Sequence, residues 1–145
     1  MVFANLVGRE TLPVLEKALA FTEARHRVLT ENIANVDTPG YRTKHLDAAA
    51  FQEALGRALA RRKEDPSGAL ELPSSREFHE DASGHLVVTP TEEPPENILF
   101  HDGTNGKLER QMAMLAENAL MHRAMVELTR NRFDILMAAI RGRTA

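Results

Sequence analysis

The chain has no cysteine, no tryptophan and a single tyrosine. Without thiols, disulfides and thiolate zinc sites are excluded, and no redox compartment can be read from cysteine usage. Aromatic residues make up only 5% of the 145 residues, while 43% are hydrophobic, so the apolar material is mostly Leu, Ala and Met. These are strong helix formers. Long hydrophobic runs are also missing, the apolar stretches falling far short of the ~18–20 residues a bilayer span needs. The opening segment MVFANLVGRETLPVLEKALAF is broken by Arg9, Glu10, Glu16 and Lys17. No membrane span and no cleaved secretory signal are expected from that pattern.

Catalytic and ligand-binding patterns are lacking as well. The six histidines (His26, His45, His79, His85, His101 and His122) are scattered, with no HExxH or HxH spacing, so no metal site is expected. Those at 26 and 122 fall on helix stripes, where a packed or partner-facing histidine is expected. No glycine-rich phosphate loop precedes a helix, and no carboxylate is paired with a nucleophile. No cofactor, no small-molecule substrate and no enzyme activity are expected. The net charge of −3 is uneven. Lys and Arg balance Asp and Glu at six each over 1–48, stand at five against eleven over 49–106, and at seven against four over 107–145. So weak a basic excess does not point to nucleic acid, and GRALARRKE reads as a solvated helix face.

What remains is helical periodicity at the two ends. A first helix is predicted from Thr11 to Asn35, with Leu12, Leu15, Leu19, Thr22, His26, Leu29, Ile33 and Val36 at alternating spacings of three and four. Pro13 fits its first turn, where a missing N–H costs nothing. A second is predicted from Leu108 to Arg141, free of Pro and Gly. Its stripe is Met112, Leu115, Ala119, His122, Val126, Thr129, Phe133, Leu136 and Ile140, widened by Met114, Met121, Met125, Leu128 and Ile135. Such lengths resemble coiled-coil strands more than globular-core helices. Between them, Asp47 caps a short amphipathic helix carrying Phe51, Leu55, Ala58 and Leu59 on one face. From Ser67 to Gly106 the text is polar and proline-rich. HLVVTP and NILFHDG suggest a short hairpin, TEEPPE and DGTNG read as loops, and the stretch is expected to be a mobile or surface-lying insert. The fold class expected is mainly α: long N- and C-terminal helices in a coiled-coil-like bundle around a polar, partly irregular middle. Three parts follow: 1–45, 46–106 and 107–145.

The stretch ENIANVDTPGYR closes the first helix. Asn32 and Asn35 lie in its last turn, where Asn tolerates a left-handed cap. Thr38 is pushed out of helical geometry by the proline that follows it. Pro39 and Gly40 fit the central positions of a type II turn, ending on Tyr41. Two long apolar stripes with little else to bury them suggest surfaces completed by other molecules.

These residues carry a resemblance. LTENIANVDTPGYRTKHLD resembles the N-terminal signature of flagellar axial proteins, in Asn32, Ile33, Ala34, Asn35 and then Thr38, Pro39, Gly40 and Tyr41. DGTNGKLERQMAMLAENALMHRAMVELTRNRFDILMAAIRGR is similar to the C-terminal end of the flagellar basal-body rod proteins, those of the proximal rod above all. The resemblance implies a structural role in the rod and helical assembly through the terminal helices, linking the MS ring to the distal rod and transmitting torque. It implies export through the flagellar type III apparatus without a cleaved signal, and a periplasmic location in the basal body. The partners implied are other copies, FlgC-like rod subunits and the rod–MS-ring junction protein FliE. The assembly interface is expected at Leu15, Leu19, Leu29, Ile33, Met112, Leu115, Ala119, Val126, Phe133, Leu136 and Ile140. A cytoplasmic helical export chaperone or adaptor, binding through the Met-rich helix, is the rival reading. A DNA-binding regulator would rest on ARRK alone.

Overall fold

The computed structural model describes residues 11–65, 70–93 and 103–142. Three helices and four short strands follow in the order α1 (Thr11–Ala34), β1 (Lys44–His45), α2 (Ala48–Glu64), β2 (Phe78–Glu80), β3 (Leu86–Val88), β4 (Thr91–Glu92) and α3 (Gly103–Ile140). The mainly helical architecture with two long terminal helices matches the sequence reading. Helix α1 ends where expected to within a residue. Helix α3 starts earlier, taking in the glycine-containing GTNG that reads as a loop. A glycine in a helix costs only about 1 kcal/mol relative to alanine, which the propagation of so long a helix readily offsets.

Helices α1 and α3 run antiparallel. Asn32 of α1 reaches Gln111, Thr22 meets Asn118 and His122, and Leu15 and Ala18 pack with Met125. At 38 residues, α3 extends about 57 Å at 1.5 Å per residue, against about 36 Å for the 24 residues of α1. In this register α3 continues past the described start of α1 by roughly two turns.

The described residues of the middle do not lie wholly on the surface. One core cluster joins Val14, Phe21 and Val28 of α1 to Phe51, Ala54, Leu55 and Ala58 of α2, with Leu46, Leu70, Leu72 and Phe78. Three phenylalanines tie distant segments together. The Phe21 and Phe51 rings stack at 4.0 Å between centroids, and Phe78 meets both edge-on at 6.4 and 5.5 Å. Each such pair adds about 0.5–1.5 kcal/mol beyond area burial. The polar count from 67 to 106 concealed this, because a few large side chains are enough to complete a small core.

Asp47 caps α2 as expected, its carboxylate accepting from the N–H groups of Ala49 and Ala50. Arg61, Arg62 and Lys63 in the last turn oppose the negative end of the helix dipole. Strand β3 pairs antiparallel with β2, not with the NILFHDG segment, most of which lies outside the described residues. The pairing is set by the intervening turn. Asp81 accepts from the N–H groups of Ser83 and His85, and Gly84 takes a φ of +79°. Strand β4 pairs with β1, Lys44 opposite Glu92. The buried Lys17 of α1 holds the hairpin, its ammonium 3.0 Å from Glu80 and donating to the Gly84 carbonyl at 2.9 Å.

Candidate functional site

The helix exit is organised by one amide. Asn32 lies on the buried side of the last turns of α1 and is 3% exposed. Its Nδ2 donates to the Lys44 carbonyl at 2.8 Å and to Gln111 Oε1 at 3.3 Å. Its Oδ1 accepts from the Lys44 N–H at 2.9 Å and from the Tyr41 hydroxyl at 3.0 Å. Both backbone polar groups of Lys44 are thus taken up by a side chain that acts as a one-residue strand. A buried amide is tolerable only with such partners. Burial and the nearby Glu31 carboxylate raise the Tyr41 pKa, so its hydroxyl stays protonated and keeps donating. The Lys44 ammonium bonds Glu31, which raises its own pKa.

The turn itself forms as the sequence predicts. The Tyr41 N–H donates to the Thr38 carbonyl at 3.1 Å across Pro39 and Gly40, and Gly40 has a φ of +78°. Neither asparagine takes a left-handed cap, since among the described residues only glycines have positive φ. Asn35 instead bonds back to the Glu31 carbonyl through Nδ2 and accepts from Thr38. Of the motif, Asn32 is buried, Ile33, Asn35 and Tyr41 are half-buried, and Ala34, Thr38, Pro39 and Gly40 are exposed. The hub role of Asn32 was missed because all its partners except Tyr41 lie outside the motif's own turn. Its position three residues after the apolar Leu29 is the signal that could have found it.

The residues expected at an assembly interface divide into two groups. Leu15 and Leu29 are buried, and Leu19, Ile33, Leu115, Ala119 and Val126 are half-buried. Met112, Phe133, Leu136 and Ile140 remain exposed, at 56%, 55%, 45% and 78%. The last three belong to an apolar end of α3 that also exposes Ile135 and Met137. The inward line of α3 runs through the half-buried Gln111 and the buried Asn118 and Met125, beside the predicted stripe. Its polar members hid it from a search for apolar periodicity. Asn118, 1% exposed, donates to the Thr22 carbonyl at 2.8 Å, and Thr22 Oγ1 lies 2.9 Å from His122 Nδ1. Arg25 is buried beside them, 4.0 Å from Glu117.

Between α1, α2 and α3 runs an apolar cleft of about 60 Å³, lined by Val14, Ala18 and Phe21, by Ala48, Phe51 and Leu55, and by Met121 and Met125. Arg25, Gln52, Glu117 and Asn118 supply its polar edge. Among the described residues no cluster of His, Asp or Glu could hold a metal ion, and no helix is long and apolar enough to cross a membrane.

Helix α1 and the turn that follows it coincide with the family match: residues 12–42 fit the family described as flagella basal body rod protein. Over nearly the whole length, the chain is 31% identical to the flagellar basal body rod protein FlgB of Cereibacter sphaeroides strain ATCC 17023, covering 92% of this chain and 96% of that one. The chain belongs to the FlgB family of flagellar basal body rod proteins. The FlgB proteins of Bacillus subtilis and Salmonella typhimurium are each 26% identical, covering 91% and 88% of this chain and 94% and 90% of their own lengths. As an FlgB-family chain it is a structural component of the basal body rod, a family not known for enzyme activity.

Proposed function

We propose that this FlgB-family chain builds the proximal part of the rod, joining other copies, FlgC-like subunits and the junction protein FliE through its terminal helices. It reaches the periplasm unfolded through the flagellar type III apparatus, without a cleaved signal, and assembles helically to link the MS ring to the distal rod and carry torque. In this reading 1–45 and 107–145 are the axial parts and 46–106 is the variable body.

The observation that supports it is the contrast between the two helices. Of the stripe of α1, Leu15, Thr22 and Leu29 are buried within the molecule and only His26 is exposed. The last turns of α3 expose Phe133, Leu136, Met137 and Ile140 together. A contiguous apolar end of that kind marks a contact with another molecule. The Asn32 side chain ties the chain that follows the turn back to the end of α1 and, through Gln111, to α3.

Localisation tests the reading. Purified basal bodies should contain the chain, and Leu136→Asp should remove it from them and abolish swimming while export continues. A chain found only in the cytoplasm, bound to export substrates, would establish the chaperone reading instead.

A further inference from the structure

The exposed end of α3 continues the side of that helix that packs on α1. Leu136 lies eighteen residues past Asn118, five turns at 3.6 residues each, and so on the same face as that buried amide. Phe133 and Ile140 stand within about 60° of Leu136 round the helix, whereas Asp134 stands about 160° away, off the stripe. Arg132, on the same side, is half-buried and has an interaction of its own. Thr22 meets Asn118 and His122, Leu15 and Ala18 meet Met125, and Asn32 meets Gln111, so the numbers of facing residues sum to between 140 and 144. Continued along the pair, that count sets 133–140 of α3 level with the first eleven positions of the sequence, beyond the described start of α1.

We propose that residues 1–10 lie along this end of α3 in the free subunit, and that a neighbouring subunit displaces them on assembly. Met1, Val2, Phe3, Ala4, Leu6 and Val7 make six of the first seven residues apolar. Ten residues span about 15 Å at helical rise and about 33 Å fully extended, and the stripe from Phe133 to Ile140 is about 10 Å long, so the reach suffices in any conformation. The other apolar run outside the described residues, Ile98, Leu99 and Phe100, stands just before Gly103, about 45 Å from Phe133 along α3. A segment attached to the same chain acts at an effective concentration on the order of millimolar, which favours it over a second copy in dilute solution. Pro13, in the first turn of α1, has no N–H to bond the carbonyl four residues earlier, so no rung of the helix from that residue breaks when the segment leaves. Left bare, the stripe would draw free copies together before they reach the rod. The displacing neighbour rests on the rod-subunit reading; the cover itself does not.

The absence of native cysteine permits a direct test. Ala4→Cys and Ala139→Cys stand two heptads beyond the level where Ala18 packs with Met125. Mild oxidation of this double variant, as the dilute full chain, should close a disulfide within the monomer, read as faster migration on a non-reducing gel and loss of both free thiols. Ala4→Cys with the exposed Ala116→Cys, about 35 Å back along α3, should close several-fold less, and circular dichroism confirms that each variant keeps its helices. Val2→Ser, Phe3→Ser, Leu6→Ser and Val7→Ser together should speed amide exchange over 133–140 several-fold. Cross-linked dimers in place of closed monomers would overturn the proposal in favour of a second copy as the occupant. Closure no better than the Ala116 control, or exchange indifferent to the four serines, would overturn it outright. In isolated basal bodies the Ala4–Ala139 pair should stay open under the same oxidation, and closure as complete as in the free chain would refute the displacement. A closed monomer from a chain never recovered in basal bodies would support the cover and sink the rod reading instead.

Discussion

Replacing Asn32 by alanine tests the helix-exit clamp most directly. The amide makes three bonds between 2.8 and 3.0 Å and a longer one of 3.3 Å to Gln111. At a net contribution of about 1 kcal/mol each, the three short bonds sum to about 3 kcal/mol. Lys44 and Tyr41 are half-buried, so water replaces part of what is lost, and a destabilisation of about 2 kcal/mol is expected. With an m-value of about 2 kcal/mol/M in urea, the unfolding midpoint falls by about 1 M. Tryptic cleavage after Arg42 should accelerate in parallel, because the loop loses its attachment to α1. Asn32→Asp separates the two halves of the amide. It retains acceptors for the Lys44 N–H and the Tyr41 hydroxyl but sets a carboxylate oxygen against the Lys44 carbonyl, so it should not restore stability. Asn35→Ala, at a half-buried and more locally bonded position, serves as the comparison and should cost under about 1 kcal/mol. A loss below about 0.5 kcal/mol for Asn32→Ala, with unchanged cleavage, would refute the reasoning.

Gly40→Val should destabilise by about 1–2 kcal/mol through its positive φ alone, since a side chain there meets nothing within 4 Å. Gly40→Ala should cost less in the same urea titration, because a β-branched side chain is the more strained at positive φ. Lys17→Met leaves Glu80 facing the buried side of α1 and should cost about 2–3 kcal/mol, with the double variant Lys17→Met, Glu80→Gln recovering much of it in a mutant cycle. Asp81 has its pKa lowered, chiefly by the His85 N–H and also by that of Ser83. Its contribution to the β2–β3 turn is therefore present above the unfolded value of 3.8 and lost as pH falls through the lower folded pKa. Amide exchange at His85 should speed up over that acidic range, and Asp81→Asn should abolish the pH dependence.

The two long helices and the Pro39–Gly40 turn were legible because each is a local property: spacing, a first-turn proline, a glycine where φ must be positive. The Asp47 cap was legible for the same reason. The contributions of Leu70, Leu72 and Phe78 were not, since isolated apolar residues in a polar stretch show no period. The strand partners were likewise set by a turn at Asp81–Gly84 and by attachment to Lys17 and Glu77, whose Oε2 accepts from the Asp47 N–H and whose Oε1 accepts from Thr91. At the candidate site the motif residues were identified but their division of labour was not. A side chain that replaces a strand partner, as Asn32 does, depends on a loop returning twelve residues later.

The Thr22–Asn118–His122 layer has a mechanical consequence for a shaft component. Sliding α3 along α1 by one turn would carry the Asn118 amide away from the Thr22 carbonyl and leave it dry against apolar neighbours. Displacement by a turn therefore has to break a buried hydrogen bond, a threshold that an all-leucine seam would not add. The polar layer is a detent cut into the greasy face, at the level where α1 carries its own buried arginine.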